Sequence, residues 1–139
     1  MKIFTIEFEI DTQGNTDILD ITGKVEEIIR SSDIETGICV LFTPSSTSSL
    51  TTIEFEPGCL EDLKRSFERI APSTDRYAHN ARWGDGNGHS HIRAALLGAS
   101  VTIPIQNHRL TLGTWQQIIL VDFDIRPRRR QVKVQLLGE

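Results

Sequence analysis

Three of the four histidines fall in one short run, HNARWGDGNGHSHIR, from His79 to Arg93. The same run holds Asp85, Asn87, Ser90, two arginines and three glycines. A loop kept only for shape rarely needs so many ionisable groups of different types. Two chemistries fit them. Gly84, Gly86 and Gly88 let the backbone take positive φ and approach a ligand closely. A helix starting near Asn87 would then aim the amides of Gly88, His89, Ser90 and His91 at an anion. Arg82 or Arg93 would add a fork of donors to a phosphate. No Gly-Lys-Ser/Thr follows, so this is not a Walker loop. The other chemistry is a metal. His89 and His91 point the same way in extended chain but diverge by about 200° in a helix. With His79 and Asp85 they would offer a divalent ion three imidazoles and a carboxylate.

Outside this run the signals are weaker. Ser45, Ser46 and Thr47 begin a hydroxyl-rich loop that either lines a pocket or simply turns. Glu54 and Glu56 flank Phe55 and would share one side of a strand, where paired carboxylates can hold Mg²⁺. Thr114 and Gln116 flank Trp115 at a strand start, as in a pocket wall. Arg126 to Arg130 read as a solvated turn, or as an anchor for an anion or a neighbouring subunit.

The elements that must position these groups follow from periodicity. Phe4, Ile6, Phe8 and Ile10 alternate with polar residues and predict a strand. Gln13-Gly14-Asn15 supplies a turn. Ile21, Val25, Ile28 and Ile29 recur at helical spacing, with Asp17 or Asp20 as candidate N-cap. Strands are expected over Ile38 to Phe42 and Leu50 to Phe55. A second helix carries Leu60, Leu63, Phe67 and Ile70 and stops before Pro72. The stretch from Ser73 to Gly88 is polar, and a short third helix runs from about Asn87 to Gly98. Alternating Val101, Ile103 and Ile105 lead to a two-residue hairpin at Asn107-His108. Trp115 to Phe123 and Val132 to Leu136 complete the sheet. The expected fold is α+β: an antiparallel, sandwich-like sheet with two main helices and a short third one. The apolar run Gln117 to Val121 calls for a second sheet layer or a subunit interface.

The chain has 139 residues, 38% hydrophobic and 24% charged, which fits one soluble domain spanning 1–139. Net charge is −4, so there is no basic footprint for non-specific nucleic-acid binding. The opening MKIFTIEFEI is neither a secretory signal nor a membrane anchor, and nothing later is long enough to span a bilayer. A cytoplasmic location is expected, with Cys39 and Cys59 as reduced thiols.

The runs HSHIRAALLGASVTIPI, LTLGTWQQIILVDFD, RPRRRQVKVQLLGE and GICVLFTPSSTSSLTTIEFEPG resemble the YjbQ-like family, also called secondary thiamine-phosphate synthases. The resemblance spans nearly the whole chain in order. It implies an α+β fold with a sandwich-like sheet, a homotrimer with pockets near subunit boundaries, and weak joining of a pyrimidine diphosphate to a thiazole phosphate. The family's recurring polar positions map onto His79, Asp85, His91, Thr114 and Gln116. Many members carry a histidine after the proline of the serine/threonine loop. Here that position is Ser45, so either His89 substitutes for it or the activity differs.

The leading expectation is therefore a small phosphate-recognising enzyme. His91 is the acid or a ligand, Asp85 the metal-holding carboxylate, and His79 their catalytic neighbour. Asn87, Gly88, His89, Ser90 and Arg82 would hold the phosphate, with Ser45, Thr47, Glu54, Thr114 and Gln116 around the pocket. A divalent ion, Mg or Zn, is expected on His79, His89, His91 and Asp85, and no organic cofactor. Partners are further copies of the chain and a small phosphorylated substrate. The alternatives are a metal-dependent hydrolase or lyase, and a non-catalytic trimer that binds a phosphorylated metabolite.

Overall fold

Alternating residues and turn chemistry produce two antiparallel sheets in the computed structural model, which describes residues 1–139. In chain order the elements are β1 (Lys2–Thr12), β2 (Asp17–Asp20), α1 (Thr22–Ser31), β3 (Gly37–Phe42), β4 (Ser48–Ile53), α2 (Pro57–Ile70), α3 (Ala78–Trp83), α4 (Gly88–Leu97), β5 (Ser100–Gln106), β6 (Arg109–Leu110), β7 (Gln117–Asp122) and β8 (Arg128–Gly138). One sheet has the order β1-β8-β3-β5-β6 and the other β2-β7-β4.

Side-chain parity decides what each sheet faces. Phe4 and Phe8 of β1 pair with Leu136 and Val132 of β8, and this row turns inward, while Ile6, paired with Val134, stays exposed. Ile118 and Leu120 of β7 meet it in a core shared with Leu41, Ile103 and, from α1, Val25 and Ile29. Ile119, Val121 and Phe123 face the other way, against Phe67 of α2 and Ala94 of α4. The Phe67 and Phe123 rings meet edge to face at 4.8 Å. β7 is apolar on both faces because it lies in a middle layer, with a sheet on one side and helices on the other. The second sheet layer expected from Gln117 to Val121 is present.

Local differences have local causes. α4 is as long as α1, ten residues each, so it is a main helix, not a short addition. α3 forms inside the stretch expected to be irregular. β4 ends at Ile53, before the expected Phe55, because Glu56 turns back as N-cap of α2. Its carboxylate accepts the amides of Gly58 (2.8 Å) and Cys59 (2.7 Å), with Pro57 at the first helical position. Glu54 and Glu56 therefore form no carboxylate pair on a strand. The Cys59 amide, then that of Gly58, holds the Glu56 carboxyl below its ordinary range. The hairpin at Asn107-His108 forms as expected, with φ of 51° and 57°.

The turn between β1 and β2 closes onto the end of β7. Gly14 has φ 77°, and a Cβ there would stand 2.5 Å from the Asp124 carbonyl, so only glycine fits. Asn15 N–H donates to that same carbonyl at 2.6 Å. No helix is long and apolar enough to cross a membrane. Cys39 and Cys59 form no disulfide, and burial pushes the Cys39 thiol up to about 12.

Candidate active site

The site lies where the apolar interior of the sandwich gives way to charge. Asp122 and Asp124 continue the inward parity of Ile118 and Leu120, while Arg128 and Arg130 continue that of Val132 on β8. The two sets of side chains meet at the open end of the two sheets. Asp122 is fully buried. It grips Arg130 through two bonds, Nε to Oδ2 at 2.7 Å and Nη2 to Oδ1 at 2.9 Å. Thr12 Oγ1 donates to Asp122 Oδ2 at 2.5 Å, and Asp124 N–H donates to its Oδ1 at 3.0 Å. Asp124 pairs with Arg128 Nη2 at 3.1 Å and accepts the Thr47 hydroxyl at 3.1 Å. Burial raises the Asp124 carboxyl, but donors from Asn87, Arg128 and Thr47 outweigh it and hold the group below its ordinary value. Arg130 Nη2 also donates to Thr47 Oγ1 at 2.7 Å. Arg130 Nη1 and the Arg128 nitrogens Nε and Nη1 remain without a protein acceptor, and Arg128 Nε is buried.

The opposite wall comes from α3, α4 and the loop between them. His79 Nδ1 lies 3.2 Å from Asp85 Oδ1, though too bent for a hydrogen bond. Asp85 Oδ1 instead accepts the Asn87 amide at 3.1 Å. The His79 and His91 rings are 4.5 Å apart and tilted by 47°. Between the walls is a hollow of about 410 Å³. Ser45, Ser46 and Thr47 form its floor with Pro44. Asp85, Asn87 and His91 line one side, and Asp124, Arg128 and Arg130 the other. An imidazole thus faces a bed of guanidinium and hydroxyl donors, an arrangement suited to acid–base work on a substrate held by an anionic group.

Several expected members stand elsewhere. His89 is buried beside Tyr77, at a ring distance of 6.3 Å. Burial, then the charge of Arg93, lowers its pKa from the usual 6.5. The helical spacing that separates His89 from His91 breaks up the expected metal set. No three His, Cys, Asp or Glu side chains are placed to hold a metal ion. For the same reason His89 does not replace the imidazole missing at Ser45. The amides at the start of α4 are engaged internally: Gly88 N–H with Asn80 Oδ1 at 2.8 Å, and those of Ser90 and His91 with the Asn87 carbonyl. Ser90 Oγ lies 2.6 Å from the Phe123 carbonyl and 2.8 Å from Asn87 Oδ1, so both side chains tie α4 to the end of β7. Gly88 is required sterically, since a Cβ would meet Tyr77 at 2.4 Å. Arg82 is exposed on α3 and does not line the hollow.

Thr114, Gln116 and Glu54 lie at the other end of the three-stranded sheet, with the length of β7, roughly 17–20 Å, between them and His91. Gln116 donates to Thr52 Oγ1 at 2.9 Å and accepts the Gly113 amide at 3.0 Å. With Thr114 it lines a separate hollow of about 390 Å³. Within one protomer the expected pocket residues therefore split into two groups. The sequence reading missed Asp122 and Asp124 and left the arginines as either a solvated turn or an anchor for an anion or a neighbouring subunit. Two acidic residues of one parity closing an apolar strand, VDFD, were the available signal.

The model of the family described as "UPF0047 protein YjbQ-like" matches residues 6–139. The chain belongs to this family. A UPF0047 protein of Methanothermobacter thermautotrophicus is 37% identical over 139 residues, covering 100% of this chain and 95% of its own. One from Archaeoglobus fulgidus is 38% identical over 132 residues, covering 95% of this chain and all of its own. Among solved structures, a YbjQ-like protein of unknown function from Sulfolobus solfataricus superposes with a TM-score of 0.94 at 33% identity, covering 99% of both chains. A hypothetical protein from Aeropyrum pernix gives 0.90 at 34% identity, covering 98% of this chain and 99% of that one. The UPF0047 architecture is thus shared over the full domain.

Proposed function

We propose that this UPF0047 protein is a transferase of the thiamine-phosphate-synthase type. It joins a pyrimidine diphosphate to a thiazole phosphate and releases pyrophosphate. The observation that carries this reading is the hollow itself, in which His91 faces Arg128 and Arg130 across the hydroxyls of Ser45 to Thr47. In the reaction the thiazole nitrogen attacks the methylene carbon of the pyrimidine. The new C–N bond forms as the C–O bond to the diphosphate breaks, and the bonding electrons leave with pyrophosphate. The guanidiniums of Arg128 and Arg130 bind that leaving group, and His91 gives it a proton. The His79 ring beside His91, and Asp85 beside His79, orient and recharge the acid.

Mg²⁺ suits this site better than Zn²⁺. It is commonly held by one or two carboxylates together with substrate phosphates, a role open to the half-exposed Asp85. The ion would offset charge on the diphosphate. The outer face of the five-stranded sheet leaves Ile3, Ile38 and Phe42 exposed, which supports association into the expected homotrimer. Sedimentation of the purified chain tests that state.

The experiment for the activity is incubation with both reactants and detection of thiamine phosphate. His91→Ala should cut turnover by about 10²–10⁴-fold, the usual worth of a positioned acid. Asp85→Ala should cut it as well, by less. Wild-type turnover in both variants would remove the assignment. Saturable binding without turnover would make the protein a phosphometabolite binder instead.

A further inference from the structure

A second hollow, of about 320 Å³, opens off the first, and Ser45, Ser46 and His91 line both. Beyond them it is lined by the methyl groups of Ala94, Ala95 and Ala99, with Gly98 and Ser48. The polar groups around it are already engaged. Ala94 carbonyl accepts from Ser49 Oγ and from the Gly98 amide. Gly98 carbonyl accepts the Leu50 amide, and Ala99 carbonyl the Thr43 amide. Ser48 Oγ is bonded to Thr43 Oγ1 at 2.7 Å. The first hollow offers charge and unpartnered donors, while this one offers apolar contact, and they join at an imidazole. A cavity lined by apolar groups with polar groups only at its mouth selects the apolar body of a ligand.

We infer that this annex binds the ring of the substrate, and that Ala95 and Ala99 determine specificity by keeping it open. The ligand class is a flat ring carrying a diphosphate on a short arm. With the ring among the alanines and the phosphate at the arginines, the arm crosses at His91. That puts the breaking C–O bond beside the acid. The inference rests on the phosphate-handling reading above and assigns its second half.

Calorimetry with two simple probes, inorganic phosphate and benzyl phosphate, tests it. Wild-type protein should bind benzyl phosphate at least roughly tenfold more tightly, and Ala95→Leu should erase that preference while moving inorganic phosphate by no more than about twofold. Ala95 is exposed on α4 and leucine is a good helix former, so the variant should fold. Leu96→Ala, on the neighbouring exposed position, should keep the preference. Phosphate binding with no gain from the ring, or a preference that survives Ala95→Leu, overturns the annex alone. If wild type binds neither probe, the phosphate reading fails and this inference falls with it.

Discussion

Two arginines, the buried Arg93 on α4 and the partly buried Arg130 on β8, serve different ends. In Arg93, every nitrogen has a protein partner: Nε with the Ala71 carbonyl at 3.0 Å, Nη1 with Thr16 Oγ1 at 3.0 Å and Nη2 with Glu68 Oε1 at 2.7 Å. It ties α4, α2 and the β1–β2 turn together, and no nitrogen is left unpartnered. Arg130 is gripped as firmly by Asp122 and Thr47, yet Nη1 stays without a partner at the wall of the hollow. Each makes three hydrogen bonds, so what separates them is distribution: Arg93 spreads its bonds over all three nitrogens, while Arg130 leaves one nitrogen unpartnered.

Substitution should break this contrast in opposite ways. Arg130→Met leaves Asp122 buried without its charge partner, which should cost about 3–5 kcal/mol in denaturant unfolding and abolish phosphate binding. Phosphate affinity kept in that variant would place the anion elsewhere. Arg93→Met should cost less, about 1–3 kcal/mol, because Glu68 can turn to solvent and only the Ala71 carbonyl and Thr16 lose partners. Turnover below the melting point should hold. A loss of activity matching that of Arg130→Met would erase the distinction.

Acid sharpens the comparison with the smallest effect. The Arg93 hydrogen bond, then the Ser73 amide, lowers Glu68 from 4.5 to about 2. Between those values the unfolded chain binds the extra proton, so stability falls as pH drops through that window. Burial and Arg93 also lower His89 from 6.5, so a shallower loss begins below that pH. Glu68 is half exposed, which keeps its share modest. Melting curves of Glu68→Gln should show a flatter acid limb than wild type. Parallel limbs would assign the acid sensitivity to other groups.

Much of the fold was readable because alternation is local. Phe4 to Ile10, the Asn107-His108 hairpin and the stripe from Leu60 to Phe67 each declare an element without help from distant residues. The site was readable only in part. His79, Asp85 and His91 are close in sequence, so a short helix, a glycine loop and a helix start bring them together. His89 belongs to the same run, but helical rotation sends it to Tyr77. Thr114 and Gln116 resembled a wall of the same pocket, yet strand length carries them to the opposite end of the sheet.

Asp122 and Arg130 make the deeper point. In the chain they look like the end of an apolar strand and part of a basic run that either turns or anchors an anion, and although they are close in sequence no helical or hairpin register pairs them. They meet because β7 and β8 lie in different sheets whose inward faces converge at one end. Strand periodicity, helix starts and the crowding of imidazoles near Asp85 are properties of neighbouring residues, so the chain states them directly. Which charges are paired, which donors stay open and which hollow adjoins His91 depend on how two sheets stack. That information exists only once hydrophobic burial has joined residues far apart in the chain.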